Sequence, residues 1–238
     1  MLSLHNLTVS IGEKKILDNI SYTFEHGKVY AIMGPNGSGK STLAGAVMGN
    51  PVFELGHASK IIFKRKKLND LEPHERAQKG LFMSFQTPIA LTGVTIYQLL
   101  RYALNGREDP LKIRQEVQKY AKKLHIKEEL LSRSLNEGFS GGERKKMEVL
   151  QALVLQPELM FFDEIDTGVD VDALKIISKM VNKLTGTDKT VILVTHYNRL
   201  LKYVKPDRVL VLAGGRLVAE GDAQLAHEIE KNGYEGLM

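Results

Sequence analysis

A glycine-rich stretch from Gly34 to Thr42 has the residue types and the spacing of a phosphate-binding loop. It reads Gly-Pro-Asn-Gly-Ser-Gly-Lys-Ser-Thr and fits the pattern G-x-x-x-x-G-K-[ST] throughout. The apolar run Val29–Met33 before it favours a buried strand, and a helix is predicted from about Lys40. Main-chain N–H groups at such a turn converge on phosphate oxygens, aided by the helix dipole. We therefore predict that this loop binds the phosphates of a nucleotide.

The side chains of this loop have separate predicted tasks. Lys40 is expected to place its ammonium on the β- and γ-phosphates, and the Ser41 hydroxyl to bind Mg²⁺. The alternative is a glycine-rich turn without a ligand, which Gly39-Lys40-Ser41 between a strand and a helix disfavours. The nucleotide-binding residues predicted in the loop are Gly34, Asn36, Gly37, Ser38, Gly39, Lys40, Ser41 and Thr42.

Two carboxylates follow a second apolar run, Leu159–Phe162, which predicts another buried strand. Parallel strands deliver the residues at their carboxyl ends to the edge of the sheet where ligands bind. Asp163 is predicted to hold Mg²⁺, and Glu164 to orient or deprotonate the attacking water. A solvated strand end without a function is the alternative. Together with the phosphate loop, the pair predicts hydrolysis of a nucleoside triphosphate.

Ser140, Gly141 and Gly142 precede a predicted helix in the segment Phe139–Glu143. A hydroxyl and main-chain N–H groups at a helix N-terminus form an anion-binding site. The same residues also serve as an ordinary helix cap with no ligand, so this motif alone leaves both interpretations open.

The elements that position these groups follow from composition and periodicity. The 238-residue chain is 43% hydrophobic, carries a net charge of +5 and contains no cysteine, which excludes disulfides and thiolate metal sites within it. Apolar runs that alternate with amphipathic helices predict an α/β fold with a parallel sheet covered on both faces. Between about 88 and 137, the apolar spacing within Lys112–Leu124 predicts an inserted helical segment.

The order of the motifs resembles that of ABC (ATP-binding cassette) ATPases over nearly the whole chain. The succession is the phosphate loop, Gln86, the Ser140 motif, Asp163-Glu164 and then His196. The resemblance implies a P-loop ABC ATPase fold with an N-terminal antiparallel β-subdomain and an inserted helical subdomain. Residues 1–238 are then one domain, with an α/β core of about 1–87 and 138–238 and a helical subdomain of about 88–137.

The same resemblance implies roles for residues whose types alone do not decide them. Gln86 is expected to ligate Mg²⁺, and His196 to contact the γ-phosphate and the attacking water. Ser140, Gly141, Gly142 and Asp170 are expected to act on ATP held by a second copy of the chain, so that dimerisation is part of the chemistry. The implied cofactors are ATP and Mg²⁺. Taken singly, Gln86 as a surface amide and His196 as a strand-end residue remain alternatives.

Several segments resemble the SufC-type ATPases of the Suf iron–sulfur cluster assembly system more than transporter subunits. They are Gly138–Gln151, Asp163–Lys175, Thr195–Leu201, Lys205–Val209 and Glu230–Tyr234. This resemblance implies a cytoplasmic partner of SufB- and SufD-type scaffold proteins. The segment Thr87–Gly93 departs from that pattern, in a region where scaffold contacts are expected.

Other functions stay open at this point. A detachable subunit of a membrane transporter and a non-hydrolytic, ATP-dependent switch are the alternatives. No apolar run is long enough to insert into a membrane, and the first residues lack a secretory signal. The basic cluster Lys60–Lys67 favours a strand end and turn with solvated lysines over a nucleic-acid site.

Two further expectations concern single positions. Ile11 is expected to contact adenine without ring stacking. One of Arg144, Lys145 and Lys146, in the first turns of a helix, is a candidate to pair with Glu164 and restrain it; a solvated basic face is the alternative.

Overall fold

A computed structural model describes residues 1–186, 188–195, 199–234 and 236. The strands are β1 (Leu2–Ile11), β2 (Lys14–Phe24), β3 (Val29–Met33), β4 (Glu54–Leu55), β5 (Lys60–Phe63), β6 (Lys66–Lys67), β7 (Leu81–Ser84), β8 (Leu159–Asp163), β9 (Thr190–Val194), β10 (Arg208–Ala213) and β11 (Arg216–Gly221). The helices are α1 (Lys40–Met48), α2 (Pro73–Gln78), α3 (Ile96–Leu104), α4 (Pro110–Lys123), α5 (Glu128–Leu131), α6 (Gly141–Leu155), α7 (Val171–Val181) and α8 (Ala223–Asn232).

The strands form two sheets of different character. One is antiparallel in the order β2-β1-β5-β6, with β4 paired to β1. The other has the order β11-β10-β3-β9-β8-β7, and its strands are parallel except for β11. The predicted α/β class, with an N-terminal antiparallel sheet and a parallel sheet, is therefore confirmed.

The central strands of the parallel sheet are buried on both faces, as their uninterrupted apolar sequences predict. Every residue of β3, β8 and β9 is buried. Successive side chains point into opposite cores: Tyr30 and Ile32 pack with the antiparallel sheet and α1, whereas Ala31 and Met33 pack with the helices on the other face. This packing fixes one edge of the sheet, from which the phosphate loop and the two carboxylates emerge.

The helices α3, α4 and α5 lie between 96 and 131, inside the range predicted to be helical. Ile113 and Val117 of α4 are buried, as their spacing predicts. Helix α7 ends at Val181, and tight turns carry the chain onward. Within the described ranges, no helix combines the length and the apolar character that crossing a bilayer requires.

The basic cluster forms β5, a tight turn and β6, as predicted. Lys64 and Arg65 in the turn have positive φ angles, and all five basic side chains of Lys60–Lys67 are exposed. Lys64 pairs with Glu158 at 2.7 Å, a surface contact of little consequence for stability.

The end of α1 is fixed by Arg76, which is only 2% exposed. Its guanidinium donates hydrogen bonds to the main-chain carbonyls of Ala46, Val47, Asn69 and Leu71. A buried cation is tolerated here because its donors reach main-chain carbonyl groups, among them that of Val47 in the last turn of α1. Since α1 begins at the phosphate loop, Arg76 anchors the helix on which that loop depends.

We expect Arg76→Met to lower the free energy of unfolding by about 3 kcal/mol, because it removes the hydrogen bonds to four buried or partly buried carbonyl groups while keeping the apolar stem. Urea unfolding measures the change, and Arg107→Met, at an exposed position, is the matched control. Equal unfolding midpoints for the two variants would contradict the role given to Arg76.

Candidate nucleotide-binding and hydrolysis site

The phosphate loop joins the end of β3 to the start of α1, and two of its glycines have no room for a side chain. A Cβ at Gly34 would lie 2.1 Å from the Leu212 carbonyl oxygen, and one at Gly39 would lie 2.4 Å from a methyl group of Leu17. Gly39 also has a φ of 101°. The close approach of β2 and β10 therefore requires glycine at both positions.

Lys40 extends into the loop that precedes it. Its Nζ donates to the carbonyl oxygens of Gly34 at 2.8 Å and Pro35 at 2.9 Å. Burial lowers the pKa of Lys40, and the nearby carboxylates of Glu164 and Asp163 oppose that shift. Ser38 Oγ is buried nearby without a hydrogen-bond partner in the described structure. A cation held only by carbonyl groups and an unsatisfied hydroxyl both fit a phosphate ligand.

Asp163 ends β8 next to Ser41. The Ser41 hydroxyl donates to Asp163 Oδ1 at 3.2 Å, and the Asp163 N–H donates to Ser84 Oγ at 3.0 Å. Burial raises the pKa of Asp163, and the hydrogen bond from Ser41 lowers it. In the described part of the chain, no cluster of three or more histidine or acidic residues is arranged to hold a metal ion. A hydroxyl beside one carboxylate fits Mg²⁺, which completes its shell with water and phosphate oxygens.

Glu164 follows in an unusual conformation, with a φ of 48°. Its N–H donates to the Val194 carbonyl at the end of β9 at 2.9 Å, which ties the residue to the neighbouring strand. Gln86 Nε2 donates to Glu164 Oε2 at 2.8 Å. A left-handed conformation of a non-glycine residue at a ligand-binding edge is typical of a functional site. Gln86 is exposed, but its amide is directed at this carboxylate.

These groups surround a cleft of about 660 Å³. Its lining includes Lys40, Ser41, Gln86 and Glu164 together with Gly214 and Gly215 from the β10–β11 turn. The residues of the first hairpin that line the cleft are Lys14, Lys15 and Ile16 at the start of β2. Ile11 pairs with Lys14 at the end of β1, so its contact with adenine stays a prediction.

The Ser140 motif does not reach this cleft. Ser140 is the N-cap of α6, where its Oγ accepts from the Glu143 N–H at 3.3 Å and the Glu143 carboxylate accepts from the Ser140 N–H at 2.8 Å. This hydrogen bond from the Ser140 main chain lowers the pKa of Glu143. In the single chain the motif is thus a capping box. Gly141 and Gly142 open the helix at the surface, and a Cβ at Gly142 would meet no atom within 4 Å.

Asp170 is likewise a surface cap. Its Oδ1 accepts from the Ala173 N–H at 2.7 Å at the start of α7. His196 lies outside the described residues. The buried Thr195 before it donates its N–H to the Ile32 carbonyl at 3.1 Å, so β9 ends beside the phosphate-loop strand. The structure brings together Lys40, Ser41, Gln86, Asp163 and Glu164, and it leaves Ser140 and Asp170 outside.

Lys145 does not take the position expected of a partner for Glu164. Its Nζ donates to the main-chain carbonyls of Phe85 and Gln86, and Lys145 and Glu148 are both 4% exposed. Burial lowers the pKa of Lys145 and raises that of Glu148 to about 7. The sequence signal for this pair was the presence of two charged residues at helix positions where the spacing predicts buried apolar ones.

Sequence reasoning also missed Tyr234, whose hydroxyl accepts a hydrogen bond from the Gly34 N–H at 3.0 Å. Burial raises the pKa of this phenol. Two hundred residues separate the partners, and nothing in the local sequence indicates the contact.

Comparisons with known proteins show to which family the chain belongs. The family model described as ABC transporter matches residues 17–167. A probable ABC transporter ATP-binding protein of Streptococcus pyogenes serotype M3 is 46% identical, over all of this chain and 94% of its own length. A probable ATP-dependent transporter, ycf16, of Cyanophora paradoxa is 41% identical over all of this chain and 94% of its own length.

Solved structures give the same result for the fold. A nucleotide-free ATP-binding cassette from an ABC transporter superposes with a TM-score of 0.76 at 28% identity, covering 98% of this chain and 94% of that one. A cassette in a dimeric post-hydrolysis state, bound to ADP and Pi, gives a TM-score of 0.80 at 23% identity, covering 94% and 99%. The predicted P-loop ABC ATPase fold is confirmed. The chain belongs to the ABC transporter family, as one of its Mg²⁺-dependent, ATP-hydrolysing cassettes.

Proposed function

We propose that this cassette is the ATPase subunit that drives conformational change in a SufB/SufD-type scaffold during iron–sulfur cluster assembly in the cytoplasm. The observation that carries the ATPase chemistry is the meeting of Ser41 with Asp163 and of Gln86 with Glu164 at one sheet edge. The scaffold assignment is supported by the segments Gly138–Gln151 and Asp163–Lys175, which resemble those of SufC-type ATPases.

ATP binding exchanges the partners of Lys40. Phosphate oxygens carry charge and are stronger acceptors than the carbonyls of Gly34 and Pro35, so the ammonium turns to them. The main-chain N–H groups of residues 36–41 and the N-terminus of α1 hold the same phosphates. Ser38 Oγ gains the acceptor that it lacks in the described structure.

Ser41, Asp163 and Gln86 would hold Mg²⁺, which, when bound, neutralises charge on the β- and γ-phosphates. Glu164 accepts the proton of the attacking water, and the hydrogen bond from Gln86 fixes the direction of its carboxylate. We assign contact with the γ-phosphate and the same water to His196, at the end of β9.

A second copy completes each site in this proposal. Ser140, Gly141, Gly142 and Asp170 lie at the surface and outside the cleft of their own chain. Their hydroxyl and main-chain N–H groups suit a phosphate presented by another chain. Two chains arranged head to tail then enclose two ATP molecules, and their approach is the movement passed to the scaffold.

The scaffold is proposed to dock on the helical part, residues 88–137, of the single 1–238 domain. Large apolar side chains are exposed beside Gln86 and on α3: Phe85 is 52% exposed, Ile89 65% and Tyr102 87%. Exposed apolar side chains near Gln86 suit a partner that must respond to whether ATP or ADP is bound.

A transporter subunit is the second candidate, and the names of the relatives favour it. The Streptococcus relative is described as a probable ABC transporter ATP-binding protein, and ycf16 as a probable ATP-dependent transporter. The ATPase chemistry is common to both candidates, so only the partner distinguishes them.

We expect Glu164→Gln to reduce ATP turnover by at least about a hundredfold while ATP binding is retained, because the amide cannot accept the water proton. ATP hydrolysis and nucleotide titration measure the two effects. Glu129→Gln, on an exposed helix position, is the control. Turnover of Glu164→Gln at the wild-type rate would remove Glu164 from this role.

Head-to-tail pairing predicts complementation between two inactive variants. Lys40→Ala disables the phosphate loop, and Ser140→Arg disables the signature motif. A mixed dimer contains one site with Lys40 from one chain and Ser140 from the other, so mixing should restore turnover. A mixture as inactive as its components would mean that Ser140 acts on its own chain or not at all.

Affinity capture from the native cell distinguishes the two partners. We expect the tagged chain to recover soluble scaffold subunits, and Ile89→Glu to lose them because a carboxylate enters an apolar contact. Val52→Glu, equally apolar and 58% exposed but remote from 88–137, should retain them. Recovery of polytopic membrane proteins instead would establish the transporter alternative.

A further inference from the structure

Helix α6 buries a lysine and a glutamate one turn apart. Lys145 and Glu148 are each 4% exposed, on the side of α6 that also carries the buried Val149 and Ala152. Removing two charges from water costs several kcal/mol, so they persist in a core only where specific partners compensate them.

The partners of both charges are main-chain groups of a single short segment. Lys145 Nζ donates to the carbonyl oxygens of Phe85 at 2.9 Å and Gln86 at 2.8 Å. Glu148 Oε1 accepts from the Phe85 N–H at 2.7 Å. The segment follows β7 directly, and the Phe85 side chain faces solvent. It is therefore the main chain of 85–86, and not a side-chain contact, that α6 holds.

Lys145 and Glu148 make their hydrogen bonds to this segment and not to each other. Lys145 Nζ and Glu148 Oε2 are 4.0 Å apart, beyond hydrogen-bonding distance, and Oε2 has no hydrogen-bond partner in the described structure. An ion pair that existed only to stabilise the fold would place these groups in direct contact.

We propose that Lys145 and Glu148 are positioning residues that fix the main chain at Phe85–Gln86 and, through the Gln86 amide, the direction of the Glu164 carboxylate. The chain of contacts runs from α6 to Gln86 and on to Glu164 Oε2 at 2.8 Å. Because Ser140 caps the N-terminus of α6, the helix proposed to meet the second copy also sets the geometry of hydrolysis. The inference rests on the proposed role of Glu164, which the Glu164→Gln variant tests separately.

A double-mutant cycle tests the proposal. Lys145→Met, Gln86→Ala and their combination are compared for kcat, for ATP affinity and for thermal unfolding. Lys145→Met is expected to lower kcat roughly ten- to a hundredfold, because a small misplacement of a catalytic group has that effect. ATP affinity should change less than about twofold, since Lys145 does not line the cleft. In the combination, Lys145→Met should add almost nothing to Gln86→Ala, because both act through the same amide.

Two variants separate positioning from structure. Lys145→Arg keeps donors for both carbonyl groups and should retain most of the turnover. Lys122→Met, at an exposed position of helix α4, is the matched control and should leave kcat unchanged. Should Lys145→Met fail to fold, the charge-balanced variant Lys145→Met/Glu148→Leu replaces it in the same cycle. Wild-type kcat in the folded variant, or losses that multiply with Gln86→Ala, would overturn the proposal.

Discussion

The structure depends on keeping charged groups buried at one edge of a parallel sheet. Asp163 is 1% exposed, Glu164 7% and Lys40 5%, in a region where an unpaired charge costs several kcal/mol. Each is therefore held by a polar group that the fold brings to it: Ser41 for Asp163, Gln86 for Glu164 and the loop carbonyls for Lys40. This requirement fixes the positions of the phosphate loop, β7 and β8 relative to one another. Phosphate and Mg²⁺ are the ligands whose charges match the arrangement.

Part of the predicted site does not lie at this edge of the sheet. Ser140 and Asp170 are satisfied by their own helices as caps, at positions exposed to solvent. A cap on a helix N-terminus is readily exchanged for an anion, because both offer oxygen to the same N–H groups. The proposal that a second chain supplies this anion explains why the motif lies outside the cleft. In that proposal α6 has two roles: its N-terminus meets the second chain, and its buried charges hold the main chain at Gln86.

Sequence reasoning succeeded where the signal is local. The phosphate loop and Asp163-Glu164 follow buried strands, and strand ends and loop glycines can be recognised from a few neighbouring residues. Gln86 required a family resemblance, since one amide in a surface segment carries no local signal. The contact of Lys145 with Phe85 spans 60 residues and that of Tyr234 with Gly34 spans 200, so only tertiary packing decides them. The contact of Ile11 with adenine stays a prediction, since strand periodicity gives the face of a residue but not the reach of the hairpin.

The central claim is that hydrolysis requires two chains, since no single chain brings Ser140 to its own Glu164. Turnover per chain, measured over about a hundredfold range of protein concentration at saturating Mg²⁺-ATP, tests it most directly. If two copies must meet, the rate per chain rises with concentration and then levels off. A rate per chain that stays constant on dilution would show that one chain hydrolyses ATP alone and would contradict the claim.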